Sequence, residues 1–134
     1  MRCSAAAAAA MLVFASNAAV ACQCAPLNLA TRISHADLVL VGRVVSFKPL
    51  QEVTLQPAEV FKGSVSGTLT VEAGQSDCDF FLPPVSPKTG EEYLLYLRQT
   101  EGLIIANRCL GSGAVSARKK ELEALRQRFQ GTKP

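Results

Sequence analysis

Five cysteines and one histidine are the residues of this chain whose types could carry chemistry. A cysteine can serve as a nucleophilic thiolate, a metal ligand or half of a disulfide, and spacing helps to decide among the three. Cys22 and Cys24 are separated by Gln23 alone, while Cys78 and Cys109 lie far downstream. Zinc sites usually place a ligand pair as C-x2-C, and thioredoxin-like enzymes need C-x-x-C beside a βαβ unit. Neither pattern is present, so structural zinc and thiol redox chemistry are not the expected uses. His35 alone cannot supply the imidazoles of a His-rich metal centre, and it removes most triad arrangements, which leans the reading away from an enzyme. Gly63-Ser64-Val65-Ser66-Gly67 is expected to be a turn, because a nucleophile elbow needs serine where Val65 stands. Asp77 and Asp79 flank Cys78, but two carboxylates without the other oxygen ligands of a calcium loop are expected to be solvated. No cofactor is expected.

Cys3 belongs to a segment that reads as a processing signal. Arg2 gives a positive start, residues 5–14 are an apolar run, and Ala19-Val20-Ala21 offers the small-x-small pattern of a cleavage site. Such a run falls short of the roughly 20 apolar residues that span a bilayer, so a cleaved signal over 1–21 is expected rather than stable membrane insertion. The mature chain then begins at Cys22 and is secreted or periplasmic. A lipid anchor on Cys22 is the weaker alternative, since Ala19 stands where lipoprotein signals favour a larger aliphatic residue. Cys22, Cys24, Cys78 and Cys109 remain, and an even count in a small exported chain predicts two disulfides. A Cys22–Cys24 bond would be strained across one residue, which leaves two long-range pairings open. Either pairing immobilises the new N-terminus, each bond removing about 4 kcal/mol of unfolded-chain entropy in the simple loop model.

A scaffold must hold that N-terminus, and the rest of the chain predicts one built mainly of strands. Residues 37–47 form a β-branched apolar run with Gly42 inside it, a sign of a bulge or sharp bend. Residues 53–61 return as its hairpin partner, with Pro57 requiring a bulge or an edge. Residues 68–73 alternate with a period of two, and residues 92–98 and 103–107 make a last hairpin. Between them, residues 74–90 form a long loop carrying Cys78, pinned by Phe80 and Phe81. Residues 116–129 are helical by pattern, with Leu122, Leu125 and Phe129 on one face packing on the strands. The basic residues beside this stripe read as a solvated face, diluted by Glu121 and Glu123. The fold class expected is mainly β: a five-stranded OB-fold-like barrel with a C-terminal α-helix and a short N-terminal helical or irregular segment, a sandwich being the alternative. A chain of 134 residues, 49% hydrophobic, suits a single domain over 22–134. A formal net charge of +3 gives no concentrated basic stripe, so nucleic acid is not an expected partner. A monomer is expected.

Cys22-Gln23-Cys24-Ala25-Pro26 followed by the run from Ala36 to Val44 resembles the start of the tissue inhibitors of metalloproteinases. Val60-Phe61-Lys62-Gly63 is similar to the end of that family's second strand. Glu91 to Leu95, Gly102 to Ile105 and Cys109 resemble its last hairpin. The resemblance implies the netrin-like N-terminal domain, an OB-fold, in a single-domain form without the C-terminal domain of animal members. It also implies the pairing Cys22–Cys78 and Cys24–Cys109. For activity, it implies inhibition of a zinc metalloprotease in trans, the α-amino and carbonyl groups of Cys22 chelating the protease zinc and Gln23 entering the specificity pocket. Ser76 and Asp77 would form a second contact strip, with Ala25 and Pro26 extending the edge. The sequence departs from the family in three places: no cysteines remain for a third disulfide, Gln23 replaces a small hydroxyl residue, and the connection at 48–51 is short. A related non-inhibitory module that uses the barrel for protein binding is the alternative, since fold does not settle function.

Overall fold

Two near-continuous apolar runs, residues 38–41 and 93–97, are buried along their whole length. Such runs mark strands covered on both faces, because a half-exposed strand would alternate with polar residues. In the computed structural model, which describes residues 22–130, these runs are the central strands of a barrel. The signal segment expected over 1–21 lies outside the described residues, as do residues 131–134.

Helix α1 (Leu29–His35) precedes strands β1 (Leu38–Lys48), β2 (Glu52–Lys62), β3 (Leu69–Glu72), β4 (Glu92–Thr100) and β5 (Leu103–Ala106). A two-residue strand β6 (Gly113–Ala114) and helix α2 (Lys119–Phe129) follow. β1 pairs antiparallel with both β2 and β4, β2 with β3, and β4 with β5. The circuit closes where β3 meets β5 in parallel, Glu72 opposite Ile105. The result is a closed five-stranded mixed barrel, OB-fold-like, and not a sandwich. β6 adds to β4 beside Tyr93 and Leu94 and is too short to leave a periodic signal in the sequence.

Alternate residues of the central strands divide the core in two. Leu38, Leu40, Val44, Tyr93, Leu95 and Leu97 join Val53, Leu55, Val71 and Phe81 in one apolar cluster. Val39, Val41, Leu94 and Tyr96 join a second cluster that includes Ile33 of α1 and Leu122 and Leu125 of α2. The bulge expected near Gly42 and Pro57 is present: Val41 faces Glu59 and Gly42 faces Pro57, which leaves Ala58 as the extra residue. A β-carbon at Gly42 would lie 3.2 Å from that of Leu55, so the sharp bend is closely packed.

The C-terminal helix begins later than the pattern predicts. Residues Val115–Ala117 form a 3-10 turn, and Arg118 has φ −121° and ψ 23°, outside the helical range, so the α-helix starts at Lys119. The Arg118 side chain lies over Gly113, where an added β-carbon would come within 2.6 Å of its Nε. Beneath the helix, Glu121 pairs with Arg32 of α1 and accepts a hydrogen bond from the Tyr96 hydroxyl at 2.8 Å. Arg118 stands 4.0 Å from the same carboxylate, so one acid joins both helices to the barrel wall. At the other end of α1, Lys62 Nζ donates to the carbonyls of Ile33 (2.8 Å) and Ala36 (2.6 Å), neutralising the negative helix terminus.

Candidate functional site

Residues 22–28 run without regular structure into α1, whose first turn is capped by the Asn28 carboxamide accepting from the Thr31 amide at 2.8 Å. What fixes this segment is covalent. Cys22 is bonded to Cys78 and Cys24 to Cys109, with Cα separations of 5.1 and 5.0 Å. The two bridges stack, Cys22 Sγ lying 3.5 Å from Cys109 Sγ. Gln23, Cys24, Ala25 and Pro26 are exposed, and Cys22 is half-buried. The outcome is an exposed edge with its first residues tied to two different loops. The sulfurs of Cys22, Cys78 and Cys109 lie within 4.8 Å of one another, but as disulfides they offer no thiolate to a metal.

Ser76 and Asp77 are exposed and sit immediately before Cys78, so the Cys22–Cys78 bond carries them beside the edge formed by Cys22 to Pro26. Their loop is folded back on itself: Ser76 Oγ accepts from the Cys78 amide at 3.3 Å, and the Ser76 carbonyl accepts from the Asp79 amide at 3.1 Å. It is also tied to the barrel, the Phe80 amide donating to the Ala106 carbonyl at 2.9 Å. Phe81 is fully buried and meets Phe80 and Tyr93 edge-on, with ring centroids 5.0 and 5.8 Å away. The aromatic pair pins the loop as its sequence implies.

Asp79 corrects the sequence reading. It is 1% exposed rather than solvated, and its carboxylate is occupied by backbone: Oδ1 accepts from the Phe81 amide at 3.0 Å and Oδ2 from the Gln75 amide at 3.4 Å. Burial pushes its carboxyl above the ordinary aspartate range, although these amides and the Arg108 charge pull the other way. Across from it, Asn107 forms an antiparallel bridge with Asp79 and accepts from the Cys109 amide at 2.8 Å through its side chain. The Arg108 amide donates to the Cys78 carbonyl at 2.7 Å. Thus the loops that present Cys78 and Cys109 meet at an Asp/Asn pair that sequence reasoning missed. The available signal was an Asx residue within two positions of each distal cysteine, a residue type that bonds to nearby backbone.

His35, given no role from the sequence, is exposed at the end of α1. Gly63 to Gly67, expected to be a turn, form an irregular surface connection with bends at Gly63 and Gly67. Tyr93 and Tyr96 both have hydroxyls raised above the ordinary tyrosine range, by burial and then by hydrogen bonding to Glu91 and Glu121. Among the described residues no helix is long and apolar enough to cross a membrane. No family model matches the chain, and no curated protein matches it. The functional reading therefore rests on the geometry of the edge and on what its groups can do.

Proposed function

We propose that this chain, once cleaved before Cys22, is an exported inhibitor of zinc metalloendopeptidases. The observation that supports the reading is the anchoring of an exposed N-terminal edge by two disulfides, Cys22–Cys78 and Cys24–Cys109. An α-amino group has an ordinary pKa of about 7.7 to 8.0, so near neutral pH a metal ion readily displaces its proton and takes the neutral amine. Its own carbonyl oxygen completes a five-membered chelate. A catalytic zinc keeps one position open for the attacking water, and a chelate in that position stops hydrolysis. Gln23 then points its exposed side chain towards the protease's specificity pocket, where its amide must find hydrogen-bond partners. Ala25 and Pro26 extend the edge, and Ser76 and Asp77 form the second strip. A floppy N-terminus would lose ordering entropy on binding, and the disulfides remove much of that loss beforehand.

The same observation bears on the other readings. Thioether lipidation of Cys22 would need the sulfur that the bond to Cys78 uses. Among the described residues all four cysteines are in disulfides, so none of them offers a thiol for covalent catalysis. The proposed protein is a monomeric, non-enzymatic partner of a protease in the periplasm or outside the cell. The test is inhibition of a panel of zinc metalloproteases by protein starting at Cys22, beside the same protein carrying one added N-terminal alanine. The expected result is inhibition by the first and its loss in the second, whose amine is displaced from the zinc. Equal behaviour of the two forms would assign the barrel instead to protein binding that needs no free amine.

A further inference from the structure

Asp79 is a charged side chain placed where apolar packing would be cheaper. It is 1% exposed and stands next to a half-buried disulfide, with the Arg108 charge acting on it from the opposing loop; on its own loop the nearest charged residue in sequence is Asp77. Its two oxygens reach in opposite directions along its own loop, back to Gln75 and forward to Phe81. The residues thus spanned, 75–81, contain Ser76, Asp77 and Cys78. Its backbone pairs with Asn107, which itself orders the Cys109 amide. One residue therefore holds the shape of the Cys78 loop and its alignment with the loop of Cys109.

We propose that Asp79 is a positioning residue for the N-terminal edge: its buried carboxylate sets the Cys78 loop and, through the Cys22–Cys78 bond, the orientation of Cys22. The functional half of this rests on the inhibitor reading; the structural half does not. A neutral acceptor cannot replace the carboxylate fully. An amide has one oxygen to offer, and its NH2 would face a backbone N–H that needs an acceptor. The substitution Asp79→Asn therefore keeps the volume and removes one of the two holds.

The experiment compares backbone order by NMR relaxation in the oxidised wild type and in Asp79→Asn, with inhibition measured on the same samples. The expected result is two intact disulfides by mass, unchanged order at barrel residues such as Val44 and Leu95, and lowered order at Gln75 to Asp77 and at Gln23. Inhibition weakens about tenfold, the scale of a lost hydrogen bond to a charged group. Unchanged order at Gln23 would overturn the proposal, whatever the inhibition. Lowered order at Gln23 in a pair of proteins that both fail to inhibit would uphold the positioning role and remove the inhibitor reading instead. A second measurement needs no variant: a pH titration of the wild type followed at the Asp79 carboxyl carbon. The Phe81, Gln75 and Gln23 amides are expected to shift with that carbon's midpoint, above the ordinary aspartate range. A Gln23 amide that ignores the midpoint would overturn the proposal as well.

Discussion

Gly63, the last residue of the Phe61-Lys62-Gly63 run, offers a test of how closely the end of β2 is fitted against the start of β1. It has φ +81°, a left-handed conformation that costs an alanine about 1–2 kcal/mol. Space is the larger obstacle, because a β-carbon there would stand 2.3 Å from Leu38 Cδ2 and 2.8 Å from the Asp37 carbonyl oxygen. Leu38 belongs to the apolar core, and the Asp37 backbone is held by its own amide donating to the Leu97 carbonyl at 2.8 Å. Neither neighbour can move freely, so overpacking adds about 1–3 kcal/mol. Gly67 is the matched control: φ is +71° and nothing lies within 4 Å of its added β-carbon. Gly63→Ala is thus expected to lose about 2–5 kcal/mol and Gly67→Ala about 1–2 kcal/mol, a difference of about 2 kcal/mol. In urea denaturation that difference places the Gly63→Ala midpoint about 1 M below that of Gly67→Ala. Coincident midpoints would show that only the backbone conformation matters, and would refute the packing argument.

Glu121→Gln leaves Arg32 and Arg118 facing each other without the acid between them. Arg32 is partly exposed, so the loss is expected to be about 2 kcal/mol, below the range of a fully buried pair, and to lower the melting temperature by about 6–10 °C. An unchanged melting temperature would show that solvent already screens the cluster. Tyr93 and Tyr96 are the chain's two tyrosines, and both are raised above the ordinary range. The folded state then holds protons that the unfolded state releases from about pH 10 upward, so stability is full below that pH and falls as pH rises through it. Absorbance at the tyrosinate band is expected to stay flat while circular dichroism remains native, and to rise only as the protein unfolds. A tyrosine titrating near pH 10 in the folded protein would contradict the hydrogen bonds to Glu91 and Glu121.

The strands were legible in the sequence because burial on two faces leaves an unmistakable mark. The runs at 38–41 and 93–97 have no polar interruption, and Gly42 with Pro57 announced the bulge that lets β1 bend. The start of α2 was not legible, because the 3-10 turn before it continues the apolar spacing while Arg118 turns its backbone out of the helical range. Glu121, Tyr96 and Arg32 come from three distant segments, and no local pattern foretells that they meet. Spacing left two disulfide pairings open, and the choice between them belongs to the arrangement of loops in space. Asp79 was misread because an aspartate in a polar loop has solvent as its default partner. Only the fold reveals that two backbone amides of the same loop have taken that place.

The place where the barrel closes gives the Cys22–Pro26 edge a second meaning. β3 and β5 meet in parallel through one pair, Glu72 and Ile105, whereas the other walls of the barrel are antiparallel ladders of four to nine pairs. That join is the seam along which a barrel would breathe, since it has the fewest hydrogen bonds to break. Cys78 follows β3 and Cys109 follows β5, so the path Cys78–Cys22–Gln23–Cys24–Cys109 forms a covalent bracket across the seam. Cys22, Gln23 and Cys24, proposed above to meet the protease, thus also strap that join covalently. If the proposed protease grips them, the expected result is a tighter seam, with amide exchange slowed in β3 and β5 far more than in β1. Reduction of the bracket would free the edge and the seam together.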